Sequence, residues 1–147
     1  MTKLKALTAY LIERQLVPPE QLDSWTDQVG LELVWKPDLQ GMRMGDMNYT
    51  ATIVLERFAD HPGRLMALVG SWLETNDDDR DDLAAVQFDI TMLDDDLADV
   101  DIKLEFSEPQ YLAEDPAGEI IAFGKTWSFI PFDLWVAERG EVIGNGA

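Results

Sequence analysis

Apolar residues recur along this chain at two spacings, one typical of α-helices and one typical of β-strands. The helical spacing predicts an N-terminal helix over residues 2–16 and a second helix over residues 62–76. The apolar stripes of these helices are Leu4, Leu7, Leu11 and Ile12 in the first and Leu65, Leu68, Val69 and Trp72 in the second. Asp60 is a candidate cap for the second helix, and Pro62 suits its first turn.

Alternation of apolar and polar residues predicts strands over residues 47–56, 86–92 and 100–106. The last two strands are expected to form a hairpin around Asp94–Asp96. Residues 31–35 are a further, shorter strand candidate. In each long segment one face is polar, so the sheet should have one solvated side.

The remaining segments are expected to be turns or irregular. Residues 19–25 read as a short turn that follows two prolines, and residues 36–46 read as a loop because they contain one proline and two glycines. After the hairpin, residues 119–123 are a weak strand candidate within the apolar segment 119–136, and residues 138–147 are expected to form a flexible tail.

This order of elements predicts an α+β fold. We expect one domain over residues 1–147, with a core in residues 29–112 and a single antiparallel or mixed sheet of about four to five strands. Both helices should pack on one face of that sheet.

The net charge of the chain limits the classes of partner that it can bind. With a formal net charge of −18, the protein should repel DNA phosphates and anionic membrane surfaces. There are no cysteines, no apolar run of transmembrane length and no recognisable signal peptide, so we expect an intracellular, soluble protein without disulfides. Neither phosphate-binding nor metalloprotease motifs occur, so we expect no enzyme activity and no cofactor.

Candidate chemistry is sparse. His61, the single histidine, has no nucleophile partner at a recognisable spacing, which favours a local role over catalysis. The acidic turn residues Asp77, Asp78, Asp79, Asp81 and Asp82 lack the glycine and glutamate positions of a helix-loop-helix calcium site. A solvated acidic surface is therefore the favoured interpretation of these residues and of Asp94, Asp95 and Asp96.

Two groups of residues are candidate interface contacts. Lys36 and Arg43 lie in the expected loop and could bind an acidic neighbour. The apolar C-terminal segment contributes Trp127, Phe129, Phe132 and Trp135. These aromatic side chains could complete the core or form an exposed docking patch, and Pro131 favours an edge position over a central strand.

Two stretches of the chain resemble the tail completion proteins of contractile-tailed bacteriophages, which are similar in role to tail terminators. The first runs from the strand Tyr49–Val54 through Phe58–Asp60 into the leucine-rich helix that ends Trp72-Leu73-Glu74-Thr75-Asn76. The second comprises Phe88–Ile90 and the strand Val100–Glu108. Together they cover roughly half of the chain.

The resemblance implies a structural protein of the virion tail and neck, assembled in the host cytoplasm. Such a protein would cap the tail tube, end tail assembly and form the surface for head-tail joining. It would act as a homo-oligomeric ring, a hexamer, in contact with the tube and with sheath and head-tail connector proteins. The acidic turns could then line the central opening, and the family has no catalytic residues to carry over.

The alternative is an acidic DNA mimic that binds a basic nucleic-acid enzyme. Such a mimic needs a long ordered stripe of acids, whereas the acids here cluster in two turns and otherwise alternate on strand faces. That distribution favours the tail protein. An enzyme with carboxylates in a deep cleft is the third hypothesis.

Overall fold

The computed structural model describes residues 1–39 and 41–132, which form an α+β fold with two helices against one curled antiparallel sheet. In chain order the elements are α1 (Thr2–Glu13), a short 3₁₀ helix (Pro19–Gln21), β1 (Leu22–Asp38), β2 (Gly41–Phe58), α2 (Pro62–Asn76), β3 (Gln87–Met92), β4 (Ala98–Glu114), β5 (Ile120–Ala122) and β6 (Lys125–Ile130).

The sheet is built around two long central strands, β2 and β4. Its strand order is β1-β2-β4-β6-β5, and β3 also pairs with β4. β3 lies along the first part of β4, at Ala98–Lys103, while β6 lies along its last part, at Tyr111–Glu114. The described sheet therefore has six strands, more than expected, and every pairing is antiparallel.

The core lies between the helices and one face of β2 and β4. Both helices contribute their apolar stripes, and the two strands contribute every second residue. The strand residues in the core are Tyr49, Ala51, Ile53 and Leu55 from β2, with Val100, Ile102, Leu104 and Phe106 from β4. The second helix has the predicted bounds, and the strand alternation placed these core residues correctly.

The expectation of a loop at residues 36–46 is wrong. Residues 36–38 and 41–46 belong to the two strands of a long hairpin, in which Lys36 pairs with Arg43 and Asp38 pairs with Gly41. Gly41 has φ +145°, and a Cβ there would collide with the Leu112 carbonyl oxygen, so glycine is required at the turn. The first strand also begins at Leu22, where a turn was expected. It lies at the sheet edge and none of its residues is buried. Its apolar residues do not alternate with polar ones, so it lacks the sequence pattern of a half-buried strand.

Two helix ends differ from expectation. The first helix ends at Glu13 rather than residue 16, because Gln15 adopts φ 55° and turns the chain so that Val17 enters the core. At the second helix, the cap is His61 rather than Asp60. The His61 Nδ1 atom accepts a hydrogen bond from the Gly63 amide at 2.9 Å. The Asp60 carboxylate accepts from the His61 amide, and this hydrogen bond lowers the pKa of Asp60.

A buried carboxylate joins the first helix to the sheet. Glu108 is 1% exposed and follows Phe106 on the core-facing side of β4. Its oxygens accept hydrogen bonds from the Thr2 amide at 3.2 Å, the Lys3 amide at 2.8 Å and the Tyr49 hydroxyl at 2.5 Å. Glu108 therefore satisfies free amides at the start of the first helix, where a negative charge is also favoured by the helix dipole.

A second buried contact fixes the chain that follows the second helix. The Lys3 Nζ atom donates to Asp77 Oδ1 at 2.6 Å and to the Ser107 carbonyl at 2.7 Å. Arg80 donates to the other Asp77 oxygen at 2.6 Å and to the Glu105 carbonyl at 2.9 Å. Each charge has a partner, as a buried ion pair requires.

We expect Glu108→Ala to lower the free energy of unfolding by about 3 kcal/mol, since it leaves the Tyr49 hydroxyl and two helix amides without their buried acceptor. Urea unfolding followed by circular dichroism measures this change. Glu114→Ala is the matched control, because Glu114 lies on the same strand and its side chain is 57% exposed. That variant should change the free energy by less than about 1 kcal/mol, and equal losses in the two variants would contradict the role given to Glu108.

Tyr49 should make the protein sensitive to alkali. Burial, followed by the hydrogen bond to Glu108, raises the pKa of Tyr49 far above its ordinary value of 10.0. Above about pH 10 the unfolded chain releases this proton while the folded chain retains it, so the free energy of unfolding falls as pH rises. Urea unfolding between about pH 9 and about pH 11 should show a steeper loss in the native protein than in Tyr49→Phe. Parallel curves would exclude this contribution.

Candidate assembly surfaces

The face of the sheet away from the helices is acidic. Asp23 of β1, Asp101 of β4 and Asp89 of β3 lie in one row across it, since Asp23 and Asp101 both pair with Val54 and Asp101 pairs with Asp89. Strand alternation places Asp27, Asp99 and Glu105 on the same face.

The opposed acids Asp89 and Asp101 do not stabilise the sheet. Asp89 and Asp101 lie directly opposite each other, and like charges at such positions destabilise a strand pair. Lys103 lies on the same face but offsets the repulsion between Asp89 and Asp101 only weakly. Its Nζ atom is 3.8 Å from an Asp89 oxygen, and both side chains are about half exposed. Strand pairing therefore does not explain why acids occupy these two positions.

The first acidic turn divides into one structural and four exposed carboxylates. Asp77 is 5% exposed and is held between Lys3 and Arg80, so it does not contribute to the acidic surface. The exposed members of this turn are Asp78, Asp79, Asp81 and Asp82. Arg80 anchors the turn to the backbone of Glu105 and so brings these four acids toward the acidic sheet face.

The second acidic turn, Asp94–Asp96, connects β3 to β4 and is exposed. Asp94 shapes the turn by accepting hydrogen bonds from the amides of Asp96 and Leu97 at 2.8 and 2.9 Å. This turn adjoins the start of β4, about seven residues and roughly 23 Å from the Glu105 region. Within residues 1–39 and 41–132, no three acidic or histidine side chains come together as a metal site.

Lys36 and Arg43 lie on paired strands rather than in a loop. Lys36 is exposed, whereas Arg43 donates two hydrogen bonds to one Asp46 oxygen, at 2.6 and 3.0 Å, and one to the other at 2.8 Å. These hydrogen bonds raise the pKa of Arg43. Arg43 and Asp46 line an open cleft of about 470 Å³. Asp79 and Asp82 of the first acidic turn and Glu32 of the first strand line the same cleft.

The four C-terminal aromatic residues occupy different environments. Trp127 is 6% exposed, and its indole N–H donates to the Ala122 carbonyl at 2.9 Å. Phe129 is 52% exposed, so it is available to a partner. Phe132 is half-buried against the core, with its ring centroid 5.9 Å from the Lys3 Nζ atom. Trp135 lies outside the described residues.

Sequence patterns missed two features of this surface. The first strand supplies Asp23 and Asp27 to the acidic face, but its lack of alternation concealed that role. The same strand exposes Leu31 and Leu33, which no motif marked. Their position at a sheet edge becomes apparent only when the hairpin and the strand order are known.

Across the described part of the chain, no helix is long and apolar enough to span a membrane.

Comparison with known proteins agrees with the resemblance found in the sequence. The model of the family described as P2 phage tail completion protein R (GpR) matches residues 1–131. The chain is also 31% identical over 84 residues to the "Uncharacterized 19.2 kDa protein in rep-hol intergenic region" of Haemophilus phage HP1 (strain HP1c1). That match covers 56% of this chain and 51% of the relative, so the chain spans about half the length of the relative. No solved structure matches the chain.

The family match covers both helices and all six described strands, so it includes the whole fold that carries the acidic face. It supports a structural role in the phage tail, and it lends no support to a DNA mimic. The chain belongs to the P2 phage tail completion protein R family.

Proposed function

We propose that the protein caps the finished end of the phage tail tube, stops further tube growth and presents the surface to which the head attaches. In this proposal six copies form a ring. Membership of a tail completion family supports a role at the end of tail assembly. A ring requires two different surfaces on each copy that join head to tail and close on themselves.

The observation that carries this proposal is the acidic sheet face that the helices leave uncovered. A ring that turned this face toward its opening would present Asp23, Asp89 and Asp101 to passing DNA. Negative charge there would repel the phosphate backbone and keep DNA from adhering. The exposed acids of the two turns would add to this field, whereas Asp77 would not, because its charge is neutralised within the fold.

The tip of the hairpin formed by the first two strands is the proposed contact with the tail tube and with sheath or connector proteins. Lys36 is exposed there, in a chain that is otherwise strongly acidic. Phe129 and Phe132 extend the proposed contact, and Arg43 supports it through the pair with Asp46. Trp135 stays a candidate contact from its sequence alone. Trp127 contributes by holding the last hairpin, since its side chain is buried.

The purified protein should bind as a ring at one end of purified tail tubes. Light scattering of the protein alone and with tubes, followed by electron microscopy of the mixture, measures both the oligomer and its position. Lys36→Glu should weaken tube binding, and Lys5→Glu, on the exposed side of the first helix, is the matched control. A protein that remains monomeric and ignores tubes would exclude the capping role.

Neutralising the acidic row should affect DNA passage rather than assembly. In particles that carry Asp23→Asn, Asp89→Asn and Asp101→Asn together, rings should form normally while DNA leaves the tail more slowly, because the opening no longer repels phosphates. DNA release followed with a fluorescent dye measures this rate. Glu74→Gln, on the exposed side of the second helix, controls for loss of charge elsewhere. Unchanged release and infectivity in the triple variant would show that the row does not face DNA.

A further inference from the structure

The first strand leaves one long edge of the sheet open. It pairs with β2 on one side, and no described strand pairs with its other side. Register shifts between Asp27 and Gly30 and between Leu33 and Lys36 bound a flat stretch, Gly30–Leu33. Within it Leu31 and Leu33 are 54% and 57% exposed. An edge with free backbone groups and apolar side chains is a template for another strand.

The third strand forms a second open edge. Among the described strands it pairs with β4 alone. Ile90 and Met92 are 37% and 59% exposed although they lie opposite the buried residues Val100 and Ala98. Each of these two edges therefore carries at least two exposed apolar side chains, which is more than isolated surface residues would explain.

The exposed residues of the two edges lie on the same side of the sheet. Ile90 and Met92 share the helix-covered face with their buried partners. Leu31 pairs with Met47, which packs against the core and so places Leu31 on that face as well. Residues directly opposite in an antiparallel pair share a face, so joining the two edges would bury these side chains against one another.

The directions of the two edge strands are also compatible. Across the order β1-β2-β4-β3 every neighbouring pair is antiparallel, so β1 and β3 run in opposite directions. If β3 of one copy lies beside β1 of the next, the antiparallel alternation continues without interruption. The contact uses different surfaces on the two copies, as closure of a ring requires.

We propose that β3 of one copy pairs antiparallel with Gly30–Leu33 of a second copy, with Leu31 opposite Met92 and Leu33 opposite Ile90. This inference rests on the proposed ring and identifies its subunit interface. The ladder ends after Leu33, where the bulge begins. Just beyond it, Trp35 packs against Phe123 of its own chain, with the two ring centroids 5.2 Å apart.

Charge and apolar contacts favour this register over the two registers that are shifted by two residues. In it Glu32 lies opposite Thr91. A shift of two residues in one direction places Glu32 opposite Asp89, which sets like charges directly across the pair. A shift of two residues in the other direction places Leu31 opposite Asp94, beyond the end of β3, and keeps only the apolar contact of Leu33 with Met92.

Cysteine cross-linking tests this interface directly, because the native chain has no cysteine. Opposed residues in such a pair have the spacing that a disulfide requires. When Leu31→Cys and Met92→Cys proteins are mixed on tube ends and oxidised, each should link to the other and neither to itself. Met66→Cys, on the exposed side of the second helix, replaces Met92→Cys in the control mixture and should give no product.

A second pair of variants avoids dependence on the disulfide. Leu31→Lys with Leu33→Lys should fold like the native protein, since both side chains are exposed, and should weaken self-association by at least about tenfold. Leu39→Lys, at the fully exposed hairpin tip, should leave association unchanged. Rings that form normally with both lysines, or that form without the cross-link, would overturn this interface and leave the capping role intact. A native protein that forms no ring would overturn both.

Discussion

The architecture depends on the burial of one carboxylate, Glu108, against the start of the first helix. Without this acceptor, the Thr2 and Lys3 amides and the Tyr49 hydroxyl would be buried or half-buried without their partner. A helix of twelve residues is marginal in isolation, so α1 owes its place to this contact and to its leucines in the core. With α1 in place, Lys3 reaches Asp77, and Asp77 in turn holds Arg80. The position of the first acidic turn therefore follows from the position of a helix distant in sequence.

The same network separates buried structural acids from the acids of the open sheet face. Glu108 and Asp77 are buried with hydrogen-bond or ion-pair partners, whereas the acids of the open sheet face lie among like charges. A net charge of −18 costs folding free energy through self-repulsion. The core compensates by concentrating its large side chains between two helices and two long strands. The helices cover one face of the sheet and leave the other for charge, which gives a subunit with a distinct acidic side.

The sequence predicted the parts of the fold where one face is buried and the other is wet. Alternation located the core residues of β2 and β4, and helical periodicity located the second helix with its bounds. It could not locate β1, because this edge strand buries none of its residues and its apolar residues do not alternate with polar ones. The burial of Glu108 could have been predicted from the same alternation. Every second residue of β4 faces the core from Val100 to Phe106, and residue 108 is the next in that series. The pairing of Asp77 with Lys3 joins residues far apart in sequence, and no local pattern indicates it.

An open edge such as Gly30–Leu33 is a hazard for a protein that must remain dispersed before assembly, and several features of the chain limit it. The bulges on either side shorten the flat stretch, and Pro37 removes a backbone donor near the hairpin tip. The net negative charge opposes encounters between free copies, and more strongly at low salt. A weak, short pairing between copies then becomes effective only when several subunits are held together on a common template, because each contact that follows the first is intramolecular. Under the proposed function the tube end provides that template. The same short edge can then stay unpaired in solution and close a ring at the end of the finished tail.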